Sequence, residues 1–217
     1  MKKLVFDYVF SFLGLVVLSP LIFLGFIAAS ISTKSLGLFS QTRIGRHGKE
    51  FKVYKLKTMV DCKDDASSIT ALNESRITSI GRILRRFKID ELPQIFNVLQ
   101  GNMSFVGPRP DVKGYLDKLE GDDRRLLAIK PGITGYASLY FSHEEKLLKS
   151  VSDPEEFNDS VVFPLKVKLN LEYHSKENLL LDIELIWITI FGSTPFSNLS
   201  IIPFSSEEEC RERLGSC

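Results

Sequence analysis

From Tyr8 to Ile31 the chain carries no charged residue, and Leu, Val, Ile and Phe dominate the stretch. The run exceeds the roughly 20 residues that a membrane-crossing helix needs. Pro20 near its middle removes a backbone hydrogen bond and favours a kink. Ser19 beside it can offer a hydroxyl to a carbonyl that the proline frees. Split there, the second half has roughly a dozen residues, about 18 Å at 1.5 Å per residue, too short to cross alone. Lys2 and Lys3 precede the run, while Lys34, Arg43, Arg46 and Lys49 follow it. Basic flanks stay on the cytoplasmic side, and here both flanks are basic. A helix that breaks at Ser19-Pro20 and leaves by the leaflet it entered satisfies both ends, whereas a single span satisfies one. The expectation is a re-entrant membrane anchor over residues 1–33. A cleaved secretory signal is the competing reading of Lys2-Lys3 and an apolar core. That core is long for a signal, and Ala28-Ala29-Ser30 is a weak cleavage site.

The stretch Arg85–Pro110, RRFKIDELPQIFNVLQGNMSFVGPRP, holds the chemistry. Asp90 and Glu91 form an adjacent carboxylate pair, with Arg85, Arg86 and Lys88 close before it. Leu92, Ile95, Phe96 and Leu99 recur at helical spacing, which predicts a helix with Asp90 at its N-cap and Pro93 in its first turn. The helix should end at Gly101-Asn102. Pro108 and Pro110 restrict the backbone around Arg109 and give its guanidinium a fixed direction. Such a pair among cations suits an anionic substrate held with a divalent cation, because carboxylates and phosphate oxygens are the usual Mg²⁺ ligands. Arginine's planar fork matches phosphate bidentately. The same residues also fit an ordinary helix cap beside a solvated basic face.

The remaining chain reads as a small α+β domain, mostly helical. Residues 39–59 are expected as two strands around a turn at Arg46–Lys49, with Lys52, Lys55 and Lys57 alternating along one basic face. That face fits solvent, anionic headgroups, or a nucleotide diphosphate near Lys55 or Lys57. Residues 60–75 are polar, and Asp64-Asp65 within them reads as solvated. Residues 76–88 form a basic amphipathic helix suited to an anionic membrane surface. Two short helices are expected over 111–129, followed by a turn at Gly132–Gly135 tight enough to let backbone approach a ligand. Residues 153–193 give two helices joined around Lys176–Asn178. The second is almost wholly apolar and contains Trp187, which suits either a core or a membrane interface. Beyond Gly192 the chain is polar and is expected to lack fixed structure. The domain division is therefore 1–33 anchor, 34–193 catalytic domain and 194–217 tail. A net charge of +1 over 217 residues argues against a nucleic-acid binder. The three cysteines have no metal-ligand spacing, which favours a reducing compartment. The scattered histidines offer no zinc site.

The run DELPQIFNVLQGNMSFVGPRP resembles the signature of the bacterial sugar transferases, in particular the small monotopic phosphoglycosyl transferases. FKVYKLKTM (Phe51–Met59), KPGITGYA (Lys130–Ala137) and the N-terminal apolar segment with Ser19-Pro20 in its middle extend the likeness over most of residues 1–190. The resemblance implies a re-entrant anchor and a catalytic domain on the cytoplasmic face of the bacterial inner membrane, with amphipathic helices at the interface. It implies transfer of a phosphosugar from a UDP-sugar to undecaprenyl phosphate or another polyprenyl phosphate, releasing UMP. Asp90 would be the nucleophile of a covalent aspartyl-phosphosugar intermediate. Glu91 would help hold Mg²⁺, with Asp90, or handle the acceptor's proton. Arg109 and Arg85 would clamp phosphate oxygens, with Lys55 a weaker candidate. Membrane lipid, downstream glycosyltransferases and a second copy of the chain are the further candidate partners. The chain departs from the family pattern at Ser138–His143, where a Gln and an Asn-Gly-Arg turn are usual, and at Asn170, where Asp is common. Two other functions stay open: a UDP-releasing glycosyltransferase, and a non-catalytic membrane-surface subunit of a polysaccharide assembly complex.

Overall fold

The computed structural model describes residues 1–61, 75–193 and 201–215. The Asp64-Asp65 reading lies outside them. The described fold is α+β and mostly helical. It divides into two compact units, one of residues 1–45 and 49–104, the other of residues 46–48 and 105–217.

In the first unit, α1 (Lys2–Thr33) runs as one helix with Pro20 inside it. Helix is continuous across Ser19-Pro20. Ser19 supplies the physical reason. Its hydroxyl donates to the Val16 carbonyl at 3.0 Å, the carbonyl four residues before Pro20 that the missing N–H would have served. At 32 residues α1 is about 48 Å long, and it is apolar enough to cross a membrane. Its buried positions, Asp7, Ser11, Gly25, Ala29 and Thr33, are small or polar and recur mostly four apart, so one narrow stripe faces the unit. Outside the stripe Val17 is 72% exposed and Leu24 63%. Asp7 is satisfied by the Ser104 hydroxyl at 3.1 Å.

Gly25 shows how close the packing is. A Cβ there would lie 2.6 Å from Leu56 Cδ1 and 3.4 Å from Ile89 Cγ2. Ala29, Leu56 and Leu84 form the adjoining apolar cluster, with Phe26, Ile80 and Ile89 against it. Leu56 ends β2 (Glu50–Leu56), which pairs antiparallel with β1 (Leu38–Ile44) in the register Leu38 to Leu56 and Ile44 to Glu50. Arg46–Gly48 makes the turn between them. A strand's period of two puts Lys52 on the opposite side from Lys55 and Lys57, so the three lysines do not share the single face expected of them. Helix α2 (Ser79–Arg86) is capped by the Thr78 hydroxyl, which accepts from the Gly81 N–H. The 3₁₀ turn Ile89–Glu91 and helix α3 (Gln94–Leu99) complete the unit.

The second unit begins within β3 (Ser104–Val106), which pairs with β4 (Gly132–Thr134). Three glycines meet here. A Cβ on Gly132 would fall 2.2 Å from the Gly107 nitrogen, and one on Gly135 would fall 2.1 Å from the Gly107 oxygen. The tight glycine turn lets the chain's own backbone approach closely at Gly107. Residues 111–129 form two short helices as expected, both of 3₁₀ type, Leu116–Lys118 and Gly121–Ala128. Their Leu126 and Ile129 pack on Val167. Short helices α4 (Tyr136–Tyr140), α5 (Glu144–Ser150) and α6 (Pro154–Phe157) lead through a π turn at Asn158–Val162 into α7 (Phe163–Lys176). Helix α8 (Leu179–Phe191) follows after Glu177-Asn178, where the sequence placed the joint.

The polar segment beyond Gly192 is more ordered than expected across residues 201–215. Phe204 stacks on Tyr140, and Cys210 of α9 (Glu207–Gly215) is fully buried. Lys168 donates to the Arg213 and Leu214 carbonyls at 2.9 and 3.0 Å, filling acceptors that a helix end leaves open. Two apolar anchors and one lysine outweigh the segment's polar composition.

Candidate active site

The carboxylate pair is reached through Lys88, whose φ of 54° is left-handed. Asp90 then sits inside the 3₁₀ turn and is 9% exposed. It is not the N-cap of α3, as expected; that place belongs to Pro93, and the helix starts at Gln94. The proline explains the shift. Lacking an N–H, it cannot bond the carbonyl four residues back, so the segment before it closes by shorter bonds, Glu91 N–H to Lys88 O and Leu92 N–H to Ile89 O. The helix ends where the sequence indicated. Gly101 takes φ 80°, and the Gly101 and Asn102 N–H groups bond the Val98 and Asn97 carbonyls at 2.9 and 3.1 Å.

Asn97, which the sequence reading passed over, fixes α3 to β2. It is fully buried, its Oδ1 accepts from the Tyr54 N–H at 3.1 Å, and its Nδ2 donates to the Lys52 carbonyl at 2.7 Å. A polar residue inside the apolar pattern of α3 was the available signal. With α3 held there, Lys55 Nζ reaches Glu91 Oε1 at 2.9 Å. Arg85 Nε donates to Thr58 Oγ1 at 2.9 Å from α2. Lys57 is engaged elsewhere, with Asp61 at 2.6 Å and Ser35 at 2.8 Å. Lys55, Arg85, Asp90 and Glu91 thus belong to one packed unit. Arg109 belongs to the other. It is exposed between buried Pro108 and Pro110, and the Pro108 carbonyl accepts from the Gly132 N–H at 2.8 Å. Ser19 and Pro20 are exposed in the middle of α1.

The Lys55–Glu91 pair is mostly shielded, with side chains 26% and 16% exposed. Lys55→Met is expected to lower unfolding stability by about 1–2 kcal/mol, because Glu91 loses a charge-assisted hydrogen bond away from bulk water. Asp61 is 77% exposed, so Asp61→Asn should change stability by less than about 0.5 kcal/mol. Urea titrations of the two variants check this.

The family model described as bacterial sugar transferase matches residues 1–194. An undecaprenyl-phosphate glucose phosphotransferase of Komagataeibacter xylinus is 36% identical over 198 residues, 88% of this chain and 35% of that protein. A UDP-glucose:undecaprenyl-phosphate glucose-1-phosphate transferase of Escherichia coli is 35% identical over 191 residues, 85% of this chain and 38% of the other. The exopolysaccharide production protein PSS of Rhizobium leguminosarum is 43% identical over 147 residues, 63% of this chain and 72% of its own. The chain belongs to the bacterial sugar transferase family. It spans about a third of the length of the first two of these curated relatives.

Were Mg²⁺ bound to this sugar transferase, Asp90 and Glu91 would be the adjacent carboxylates to hold it. No group of three or more His, Cys, Asp or Glu side chains able to hold a metal occurs among the described residues. Mg²⁺ usually takes one or two protein carboxylates together with substrate phosphates, so a two-carboxylate set fits it. The divergent segment after Gly135 is closed by aromatic packing, Tyr136 on Tyr140 and both Tyr140 and Phe141 on Phe204. Burial first, then Tyr140 and the Glu172 carboxylate, raise the Tyr136 phenol well above its ordinary range, so it stays neutral. Asn170 is buried, and its Oδ1 has no hydrogen-bond partner.

Proposed function

We propose that this chain transfers a phosphosugar from a UDP-sugar to undecaprenyl phosphate or another polyprenyl phosphate, producing a polyprenyl-diphosphate sugar and UMP, as the first membrane step of a glycan assembly pathway. The observation that carries this reading is the packing of α1. A helix whose outer surface is apolar and exposed shares a compact unit with the carboxylate turn, touching it at Gly25 and Ile89. Chemistry on a phosphate attached to a lipid needs reacting groups close to a lipid-directed element, and Asp90 and Glu91 have one. The E. coli and K. xylinus relatives carry names for transfer to undecaprenyl phosphate.

In the proposed mechanism Asp90 attacks the sugar-bearing phosphorus, UMP leaves, and the acceptor phosphate oxygen then displaces the aspartyl carboxylate. Covalent catalysis divides one difficult transfer into two. Mg²⁺ held by Asp90 and Glu91 with the donor phosphates would neutralise charge there, and Arg85, Lys55 and Arg109 would meet the phosphate oxygens. Positioning and charge neutralisation carry most of phosphoryl transfer. Lys55, paired directly with Glu91, outranks Lys57 for this work. Basic residues on both flanks of α1 favour a re-entrant anchor with the catalytic residues on the cytoplasmic face of the inner membrane. Exposed Ile83 and Phe87 beside the arginines of α2, and exposed Leu180, Ile190 and Phe191 on α8, favour helices lying at the interface.

The test incubates purified protein with Mg²⁺, undecaprenyl phosphate and a panel of UDP-sugars, and identifies the released nucleotide. UMP is the expected product, and the donor that yields it names the sugar. UDP would mean a glycosyltransferase. Neither nucleotide from any donor would favour a non-catalytic subunit of an assembly complex.

A further inference from the structure

Gln94 is anomalous within the first unit. It is 3% exposed, and its Nε2 is buried with no hydrogen-bond partner. Buried amide donors are almost always paired, and one left unpaired carries a cost that calls for a reason. The polar side chains three residues to either side of it are served. Three residues before it, Glu91 pairs with Lys55 at 2.9 Å. Three residues after it, Asn97 bonds the β2 backbone at Tyr54 and Lys52. Residues three apart share one side of a helix. Gln94 therefore stands between two side chains that both reach β2, while its own Nε2 has no partner. It also follows Asp90, in the adjoining 3₁₀ turn, by four residues.

We infer that the Gln94 amide is held in reserve for substrate: its Nε2 donates a hydrogen bond to a phosphoryl oxygen bound at Asp90, Glu91 and Lys55. The inference rests on the phosphosugar-transfer reading of that site. A neutral amide suits the task. Lys55 and Arg85 already supply positive charge, and a directional donor adds orientation without drawing the carboxylates away from a cation. The donor is desolvated before substrate arrives, so a phosphate oxygen gains a bond with no water to displace from it.

Gln94→Met tests this, because it keeps length and approximate volume while removing the amide. The melting temperature of the ligand-free variant should equal or exceed that of the wild type, since no hydrogen bond is lost. Inorganic phosphate with Mg²⁺ should raise the wild-type melting temperature and raise that of the variant by less than half as much. Turnover, kcat/KM for UMP release, should fall about tenfold or more. A variant that melts lower, responds equally to phosphate and turns over normally would make Gln94 a structural residue and overturn the inference. If the wild type releases no UMP from any donor, the transfer reading fails by itself, and the phosphate response still decides on Gln94. Equal shifts in both proteins, or no shift in either, overturn the inference; a shift confined to the wild type sustains it.

Discussion

Asp90→Asn should abolish UMP release, lowering turnover by at least about a thousandfold, equivalent to about 4 kcal/mol of barrier. The carboxamide has nearly the volume of the carboxylate but is no nucleophile toward phosphorus. The site that holds it is already built, with the 3₁₀ turn closed by backbone bonds from Glu91 to Lys88 and Leu92 to Ile89. Folding should therefore survive the change, and the melting temperature reports whether it does. A second measurement separates the covalent route from simple electrostatic help. Wild type incubated with labelled UDP-sugar and no lipid acceptor should retain label on the protein, whereas Asp90→Asn should retain none. Glu91→Gln should slow turnover but leave the label detectable, because Glu91 is engaged with Lys55 rather than cast as the attacking group. Residual turnover within tenfold of wild type in Asp90→Asn would remove this carboxylate from the chemistry.

The sequence made the carboxylate pair, its basic neighbours and the hairpin legible because those depend on short-range patterns: alternation, turn residues and a long specific motif. What it left out depends on partners far along the chain. Asn97 looks like one polar residue in an apolar helix until Tyr54 and Lys52 are beside it. Lys55 and Lys57 look equivalent until strand geometry brings Glu91 to one and Asp61 and Ser35 to the other. Pro20 reads as a breaker because the proline rule is local. The hydroxyl that fills the vacated carbonyl is local too, and helix continues past Pro20. The order of the tail escapes the sequence for a different reason. Composition is an average, and Phe204 and Cys210 are too few to register in it, though both are buried. Arg109's place in a fixed backbone is legible from its flanking prolines, but the approach of Gly107 to Gly132 and Gly135 depends on chain brought together from a distance.

That trio yields the second large effect expected. Gly132→Ala should destabilise the second unit by about 3 kcal/mol, at or beyond the upper end for overpacked interiors. The added Cβ would meet the Gly107 nitrogen at 2.2 Å, the Thr134 oxygen at 2.4 Å and the Gly107 oxygen at 2.7 Å. All three are backbone atoms, so no flexible side-chain end can give way. Relief requires β4 to part from the Gly107–Pro108 backbone, breaking the bonds from Gly107 N–H to Thr134 O and from Gly132 N–H to Pro108 O. The second of these holds the residue before Arg109, so turnover should fall together with stability. Gly121→Ala is the control. Its φ of 55° strains an alanine, but nothing lies within 4 Å of the added carbon. It should cost about 1–2 kcal/mol and leave turnover within twofold, since it touches no part of the Arg109 backbone. Thermal unfolding and nucleotide release on the two variants read both quantities. Equal stability losses would mean that the close approach at Gly132 costs no more than the backbone strain at Gly121. A larger loss in Gly132→Ala with impaired turnover ties close backbone packing to the placement of Arg109.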